Sequence, residues 1–426
     1  MKIFLLFVIW FCMNVNLSAQ DTLTMMQYNL LYYGEITSFC NNTNNSLEMK
    51  DPFLRTILDH VQPDIFTVNE LSSNEAIHQH LLDSALNING INYYRRAQAS
   101  NSANSGIVNM LYYDSRKLTL KEQLTAQSMV RDVDVYRLYY NANDLTQGDT
   151  AFILCVVAHL KAGNNQSDAN TRKLMVENTM GFLEARFAFD NVLFSGDFNF
   201  YSGSEPGLQI MINYPNADMR FIDPLNQIGD WNNNSFYAEI HTQSTNTVSN
   251  CKAGGGLDDR FDFILISDEV RFGTKNIRYV EESYQAVGQD GQHFNGTING
   301  APQNTSVSQE VADALFNFSD HLPVTLKLRV DKLLDVSETA SKPFMAALAP
   351  NPVTISSILS FYLPSSGYII IEVFDLRGKK LISERQFFAG GKQSVPIVMG
   401  DFTPGFYFVR LSDSNNRNEL LKLIKR

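Results

Sequence analysis

The sequence predicts a layered α/β domain followed by a small all-β sandwich. A buried strand, a helix and a second buried strand follow one another at 23–68 and again at 151–194. This order with short links is typical of a parallel or mixed α/β sheet. Beyond residue 349, short strands recur with turn residues between them, as in a small β-sandwich. The 426 residues are more than one ordinary domain needs, so two domains are expected.

The composition is that of a globular protein, with 44% apolar and 19% charged residues. The net charge of -11 gives no broad basic face of the kind that binds nucleic acid. A nucleic-acid partner is not excluded, because a bound metal ion can be the largest local charge in a site on an acidic protein.

The first residues have the pattern of a signal peptide over 1–19. Lys2 gives a positive start, an apolar run follows at 3–13, and small residues precede a cleavage point before Gln20. No later run reaches the ~18 apolar residues of a membrane span, so we expect export without a transmembrane segment.

Removal of the signal peptide leaves Cys40, Cys155 and Cys251. Cys155 lies in an apolar run and is expected to remain a buried thiol. Cys40 and Cys251 lie in polar, Asn-rich loops, and in an oxidising compartment they are the candidates for a disulfide.

The elements of the first half place polar residues at strand ends. The first strand, 23–31, carries Asn29 near its end. A helix over 51–61 follows, with a Pro in its first turn and apolar residues at helical spacing. The strand 65–68 then delivers Glu70 just past its end.

The same arrangement returns in the middle of the chain. A strand at 104–113 and a hairpin at 118–140 precede the strand 151–158, which ends at His159. A helical pattern over 171–188 leads to the next buried strand.

That next strand, 192–194, is followed by a turn and then by Asp197 and Asn199. In extended backbone their oxygens project to one side, where a hard cation such as Mg²⁺ or Ca²⁺ would find suitable ligands. An Asx-rich turn after a strand explains the same pattern without a metal.

Asp262 interrupts an apolar strand and therefore predicts a buried partner, because an unpaired buried carboxylate is costly. The polar insertion 284–308 contains His293 and could fold over a cleft, although a solvated loop is the favoured interpretation. The motif at 319–324 contains Asp320 and His321 and precedes a closing strand.

Together these motifs resemble the endonuclease/exonuclease/phosphatase superfamily, which includes DNase I-like nucleases. The similarity covers about residues 22–330 and rests on strand-end motifs in the family order: Asn29, Glu70, His159, Gly196-Asp197-Phe198-Asn199, Arg260-Phe261-Asp262-Phe263 and Ser319 to Val324. It implies a four-layered α/β sandwich with one site at the strand ends. Asn69 departs from the family, which more often has Gln before the acidic ligand.

The resemblance also implies a metal site. Glu70 would be the principal ligand, supported by Asn29 and Asp320, and the ion would be Mg²⁺, with Mn²⁺ or Ca²⁺ as alternatives. Asn29 could instead be a loop cap.

The catalytic roles follow from the same resemblance. His321 would activate or align the attacking water, with Asp262 as its buried partner. Asp197 and Asn199 would hold the phosphate, a second metal or the nucleophile. His159 would contact the phosphate or protonate the leaving oxygen, or it could simply be a strand-end histidine bonded to backbone. Further cations that could contact phosphates are Lys161, Arg172 and Lys173.

The end of the chain is expected to be a linker at 331–348 and a separate domain at 349–426. The domain resembles the C-terminal sorting domain of type IX secretion substrates, on Ala349 to Pro352, Val373 to Gly378, Pro404 to Arg410 and the basic end. The resemblance implies interaction with the type IX machinery and export through the periplasm and outer membrane of a Gram-negative bacterium. A carbohydrate-binding or adhesive sandwich is the alternative.

The function expected for 20–330 is that of a secreted metal-dependent phosphodiester hydrolase, monomeric, and acting as an endonuclease on extracellular DNA or RNA. A sphingomyelinase-like enzyme or an inositol-phosphate phosphatase is the alternative within enzymes. An inactive surface binding protein is the alternative from another class.

Overall fold

A computed structural model describes residues 21–145, 150–188, 190–332, 344–413 and 417–426. The chain divides into two compact units, Met1–Asp335 and Val336–Arg426. The predicted signal peptide and most of the predicted linker lie outside the described residues.

The first unit contains two mixed sheets. Their strands are β1 (Asp21–Tyr33), β2 (Ile65–Ser72), β3 (Tyr94–Arg96), β4 (Ile107–Asp114), β5 (Leu118–Gln127), β6 (Val133–Tyr140), β7 (Phe152–His159), β8 (Val192–Asp197), β9 (Phe221–Ile222), β10 (Asp262–Ser267), β11 (Ile277–Tyr279), β12 (Gln285–Ala286) and β13 (Val324–Val330). The first sheet has the order β11-β13-β1-β2-β4-β3, with β12 paired to β13, and the second has the order β5-β6-β7-β8-β10-β9. Within them, β1 and β2 are parallel, as are β7 and β8.

In the described part of this unit, six α-helices accompany the sheets: α1 (Leu47–Val61), α2 (Glu75–Leu81), α3 (Gln166–Phe187), α4 (Pro206–Ile212), α5 (Asp268–Phe272) and α6 (Gln309–Phe318). Two of them begin earlier than predicted because polar side chains cap them. Ser46 accepts a hydrogen bond from the Met49 backbone N–H, and Asn165 accepts one from Asp168. Among the helices that the structure describes, none has the length and apolarity to cross a membrane.

The two sheets pack face to face, and helices cover their outer faces. The core between the sheets contains side chains from β1, β2, β7 and β10, and it continues under α1 and α6 through Leu54, Ile57 and Leu315. A second core lies between the other sheet and helices α3 and α4, with Met180 and Leu208 at its centre. The layer order is helix, sheet, sheet, helix, so the predicted four-layered α/β sandwich is confirmed.

The second unit is all β. Its strands are β14 (Ala347–Ala349), β15 (Ser356–Leu363), β16 (Gly367–Asp375), β17 (Lys380–Phe388), β18 (Gly391–Val398), β19 (Gly405–Asp413) and β20 (Asn418–Lys425). They form antiparallel sheets of order β14-β15-β18 and β17-β16-β19-β20 around one apolar core. Buried and exposed residues alternate along β15, as expected for a strand with one covered face. The predicted all-β sandwich is therefore confirmed.

Candidate active site

The strand ends that carry the predicted polar residues meet at one end of the two packed sheets. They surround a cleft of about 630 Å³ whose lining includes Glu70, His159, Asp197, Asn199, Asp320 and His321. Asn29 and Asp262 lie directly behind these residues and are fully buried. The structure thus brings together all eight residues that were predicted as metal ligands or catalytic groups.

Asn29 joins carboxylates from the two sheets. Its Nδ2 donates to Glu70 Oε1 at 3.1 Å and to Asp197 Oδ2 at 3.0 Å. Its Oδ1 accepts from the Leu31 backbone N–H at 3.0 Å. The amide nitrogen, not the oxygen, therefore faces the carboxylates, and Asn29 would have to turn its amide to serve as a metal ligand.

His321 lies between two polar partners. Its Nδ1 is 2.7 Å from Asp262 Oδ2, which fixes the ring orientation. Its Nε2 is 2.8 Å from Gln243 Nε2 and 3.7 Å from Asp197 Oδ2. A protonated ring would require Gln243 to present its oxygen, because a hydrogen bond needs one donor and one acceptor. Gln243 was not singled out in the sequence.

His159 approaches the carboxylates without bonding to them. Its Nε2 is 3.8 Å from Glu70 Oε1 and 3.5 Å from Asp197 Oδ2. Its buried Nδ1 has no hydrogen-bond partner in the described part of the chain. The ring is therefore not held by the backbone, which was the alternative explanation for a strand-end histidine.

Asp320 keeps one oxygen unengaged. Its Oδ2 accepts from the Ala253 backbone N–H at 2.8 Å, whereas its buried Oδ1 has no partner among the described residues. A buried carboxylate oxygen without a partner is costly unless a cation or water satisfies it.

The residues present fit a divalent cation. One ligand atom from each of Glu70, His159 and Asp197 lies within 4.8 Å of the others. Asp320 lines the same cleft, and its unengaged oxygen is a further candidate donor. Carboxylate oxygens suit Mg²⁺, Mn²⁺ and Ca²⁺.

Burial and crowding of negative charge change the acid–base properties of the cleft. Burial, followed by the charge of Asp320, raises the pKa of Glu70. Burial, with Asp262 and Glu70 adding to it, raises the pKa of Asp197. A bound cation would offset this crowding.

The two histidines are affected in opposite directions. Burial, with the nearby charges of Arg131 and His321, holds the pKa of His159 well below its usual value, so this ring is neutral. Burial alone would also lower the pKa of His321, but Asp262 and Asp197 together raise it well above its usual value.

Arg131 is a further cation of the site that the sequence did not indicate. Its Nη1 donates to the Leu160 backbone carbonyl, next to His159. Its charge acts on Glu70, His159 and Tyr32. Arg131 forms no ion pair with another described residue, and no local motif around it could have revealed this position.

The cations that the sequence did suggest are engaged elsewhere. Lys161 pairs with Asp168 at 3.0 Å, and the buried Arg172 pairs with Glu205 at 2.5 Å. Lys173 pairs with Glu177 one helical turn away. These pairings leave Arg131 as the better candidate for contact with a phosphate.

His293 was expected in a solvated loop, and this expectation is wrong. Only 3% of His293 is exposed. Its Nδ1 is 2.9 Å from Asp290 Oδ1, and its Nε2 is 2.9 Å from the Pro302 carbonyl. Asp290 also accepts a hydrogen bond from the Thr305 backbone N–H. The Asp290–His293 pair therefore holds together the loop in which it lies.

Cys40 and Cys251 form the predicted disulfide, although they are 211 residues apart in the sequence. Both cysteines line the cleft. Cys155 is a free buried thiol, and burial raises its pKa to about 12, so the prediction for this residue is also confirmed.

The fold and the site define a four-layered α/β protein with an acid and histidine cluster at its strand ends. Its second unit can be assigned further: residues 347–426 match the family model of the secretion system C-terminal sorting domain. The resemblance stated for this part of the chain is thereby confirmed. No curated protein matches the chain in sequence.

Several solved structures are similar to this chain. D. rerio TDP2 complexed with a single-strand DNA product is 14% identical over 72% of this chain and 99% of that chain, with a TM-score of 0.44. ANGEL2, a 2′,3′-cyclic phosphatase in complex with adenosine-2′,3′-vanadate, is 12% identical over 73% and 96%, with a TM-score of 0.45. An endonuclease/exonuclease/phosphatase from Beutenbergia cavernae is 12% identical over 94% and 100%, with a TM-score of 0.36.

Proposed function

We propose that residues 20–330 form a secreted, metal-dependent phosphodiester hydrolase that acts as an endonuclease on extracellular DNA or RNA. One observation carries the proposal: Glu70, His159, Asp197 and the Asp262–His321 pair converge on a single cleft. Hydrolysis of a phosphodiester needs charge stabilisation, an activated water and a proton for the leaving oxygen, and these groups can provide all three.

Glu70 would be the principal holder of the ion, with Asp320 and Asp197 beside it. When bound, a divalent cation stabilises the negative charge that develops on the phosphoryl oxygens. By offsetting Asp197, it would also favour the neutral form of His321.

His321 would then act as the base. Asp262 holds the proton on Nδ1, so that Nε2 can accept a proton from a water that takes the place of the Gln243 amide beside it. His159, which is neutral and has no hydrogen-bond partner on Nδ1 among the described residues, can turn a ring N–H toward a phosphoryl or leaving oxygen. Asn199 lies on the same side and supplies an amide group for the phosphate.

Nucleic acid is the proposed substrate because of Arg131. Its charge acts on Glu70 and His159, and it forms no ion pair with another described residue, so its guanidinium is available to hold a second phosphate of a polymer. A phospholipid such as sphingomyelin offers a single phosphate, so it would leave this cation without a partner.

Hydrolysis by the purified secreted chain tests the proposal. Plasmid DNA, RNA, sphingomyelin and inositol phosphates are incubated with Mg²⁺ or with EDTA. We expect cleavage of nucleic acid with Mg²⁺ and none with EDTA. Glu70→Gln should lower kcat by at least about a hundredfold, because it removes a charged group that acts on the developing charge.

Glu75→Gln is the matched control, since Glu75 lies on helix α2, outside the cleft lining, and pairs with Arg96 at the surface. Its rates should equal those of the wild type. Near wild-type rates for a folded Glu70→Gln chain would contradict the assignment of the site. If only sphingomyelin or inositol phosphates are hydrolysed, these compounds and not nucleic acid are the substrates. Metal binding without hydrolysis of any of the compounds would favour an inactive binding protein.

A further inference from the structure

One wall of the cleft is a short, internally bonded loop, residues 37–45, here called the rim loop. The Thr37 hydroxyl accepts from the backbone N–H of Phe39 at 3.2 Å and from that of Cys40 at 2.9 Å. The Asn44 side chain donates to the Phe39 carbonyl at 2.9 Å. These bonds fix the backbone on both sides of Phe39.

The rim loop is also anchored from outside. The Cys40–Cys251 disulfide ties it to the segment that contains Lys252 and Ala253. Ala253 in turn donates its backbone N–H to Asp320 in the reaction centre. The position of the rim loop is therefore linked covalently, and through one hydrogen bond, to the catalytic cluster.

Phe39 is 72% exposed, yet it lines the same cleft as Glu70 and His321. Its ring adds nothing to the hydrophobic cores of the described residues. An aromatic ring that is held in solvent by a rigid loop, at the edge of a catalytic cleft, has a surface available for a ligand.

The surroundings of the ring indicate which ligand. The other cleft-lining residues of this wall are mainly polar and include Thr37, Ser38 and Asn250. The rim loop itself has no Lys or Arg, and Lys252, which lines the cleft next to Cys251, donates its ammonium to the Phe316 carbonyl. Loops that bind membranes combine apolar with basic residues. Ile36 is 62% exposed, but it does not line the cleft.

We propose that Phe39 is a stacking platform for a nucleobase of the substrate next to the scissile phosphate. The proposal rests on the proposed nuclease function and deepens it, because it assigns recognition of a base to a named residue. Aromatic side chains stack on single-stranded bases with little sequence preference, whereas amide and hydroxyl groups beside them can hydrogen-bond to base edges.

The test compares a short single-stranded oligonucleotide with the same oligonucleotide carrying abasic residues on both sides of the cleaved bond. For the wild-type chain with Mg²⁺, we expect a KM about tenfold lower for the base-containing substrate, which is the size of one stacking interaction. Phe39→Ala should raise the KM of this substrate by about the same factor and leave kcat within about twofold, whereas Phe39→Trp should keep the wild-type KM.

Two matched variants complete the experiment. Phe272→Ala removes another exposed ring of the same unit, 58% exposed and away from the cleft, and should change nothing. Ile36→Ala removes the neighbouring apolar side chain and should also change nothing. Replacing both Cys40 and Cys251 with Ser should raise the KM of the base-containing substrate by a larger factor than that of the abasic substrate, because the platform is released.

If the wild type cleaves nucleic acid but Phe39→Ala leaves the KM ratio of the two substrates unchanged, the stacking proposal is overturned and the proposed function stands. If Ile36→Ala and Phe39→Ala both reduce turnover of sphingomyelin vesicles, and neither affects oligonucleotides, the loop is a membrane contact and the proposal is overturned as well. If the wild type cleaves no nucleic acid under any condition, the nuclease proposal itself has failed.

Discussion

The backbone of the site turns in the left-handed region at several non-glycine residues. Glu70 has φ 57°, Asn199 has φ 52° and Tyr32 has φ 47°. Such conformations are unfavourable for residues with a Cβ and persist where neighbouring bonds hold them. Here the Tyr32 N–H donates to Glu70 Oε2, and the Asn199 N–H donates to Asp197 Oδ1. The side chains of the site thus stabilise the turns that position them.

Gly196 is the residue whose size most directly controls this geometry. It has φ 146°, and a Cβ at this position would lie 1.8 Å from the Ala158 carbonyl oxygen. We predict that Gly196→Ala destabilises the chain by roughly 3 kcal/mol, from strain and overpacking together. Because β8 must move away from β7, Asp197 is displaced and kcat falls as well. Denaturant unfolding and hydrolysis rates measure the two effects.

Gly181→Ala is the control for this substitution. Gly181 lies in α3, and a Cβ added there meets nothing within 4 Å. This change should stabilise the chain by about 0.5 to 1 kcal/mol and leave activity unchanged. Equal stability of Gly196→Ala and the wild type would show that the β7–β8 contact is looser than described.

At the scale of elements, a chain of buried polar side chains connects the two sheets beneath the cleft. Asn69 on β2 accepts from Gln27 Nε2 at 2.8 Å and from the Asp197 backbone N–H at 2.9 Å. Its Nδ2 donates to Asn109 Oδ1 on β4, and Asn109 donates to Asp134 on β6 at 3.0 Å. Asn69, the one departure from the family pattern, therefore holds the backbone of Asp197 in place.

Asp134 is the last member of this series of buried polar side chains. Its protonation makes the stability of the protein depend on pH. Burial raises its pKa from 3.8 to about 7, against the hydrogen bonds from Ser100 and Asn109. Between these two pH values the folded chain binds a proton that the unfolded chain releases, so stability falls as pH rises, by at most about 1.4 kcal/mol per pH unit. We predict a shallower dependence for Asp134→Asn, whose side chain stays neutral. Urea unfolding from pH 4 to pH 8 measures it.

Asp114→Asn is the comparison for this prediction. Asp114 is also buried on a strand, but it pairs with Arg116 at 2.5 Å. Its removal should lower stability, because the ion pair with Arg116 is lost. An unchanged slope for Asp134→Asn would mean that the folded chain does not hold the proton at this position.

At the scale of the whole molecule, the features that could be predicted from the sequence are those marked by neighbouring residues in the chain. Buried strands followed by an acidic residue indicated the layers and the positions of Glu70 and Asp197, and the motif before the closing strand indicated His321, because apolar periodicity and the residues beside a strand are contiguous in sequence. Arg131 and Gln243 could not be found in this way. Gln243 reaches the cleft from an isolated bridge, and Arg131 bonds from a loop to the Leu160 carbonyl beside His159, so only the pairing of distant strands brings them near the site.

The same difference between local and distant signals explains which parts of the helices and loops were predicted correctly. The helices α1 and α3 were recognised from apolar spacing, but their first turns depend on the caps Ser46 and Asn165, which lie in Asn- and Ser-rich segments without periodicity. The burial of His293 was missed because its partners are the Asp290 side chain and a backbone carbonyl, and a backbone carbonyl has no signature in the sequence.

We expect the first unit to carry the hydrolase activity and the second unit to direct export. Residues 347–426 match a sorting domain, and they have their own apolar core, formed by residues such as Leu359, Val373 and Val409. We predict that a chain ending at Lys332 keeps its hydrolase activity but is no longer released from a Gram-negative host with type IX secretion. Activity and immunoblots of the periplasm, the outer membrane and the medium measure the distribution.

The full-length Glu70→Gln chain is the control, because it lacks the charge of the reaction centre and keeps the whole sorting domain. It should reach the same compartment as the wild type, inactive but in equal amount. Export of the shortened chain at wild-type levels would show that the information for secretion lies in the first unit. Loss of activity by the shortened chain, with a normal unfolding midpoint, would show instead that the second unit takes part in hydrolysis. Only a chain that is active and retained supports the separation of catalysis from export, since the two halves of the prediction are measured independently.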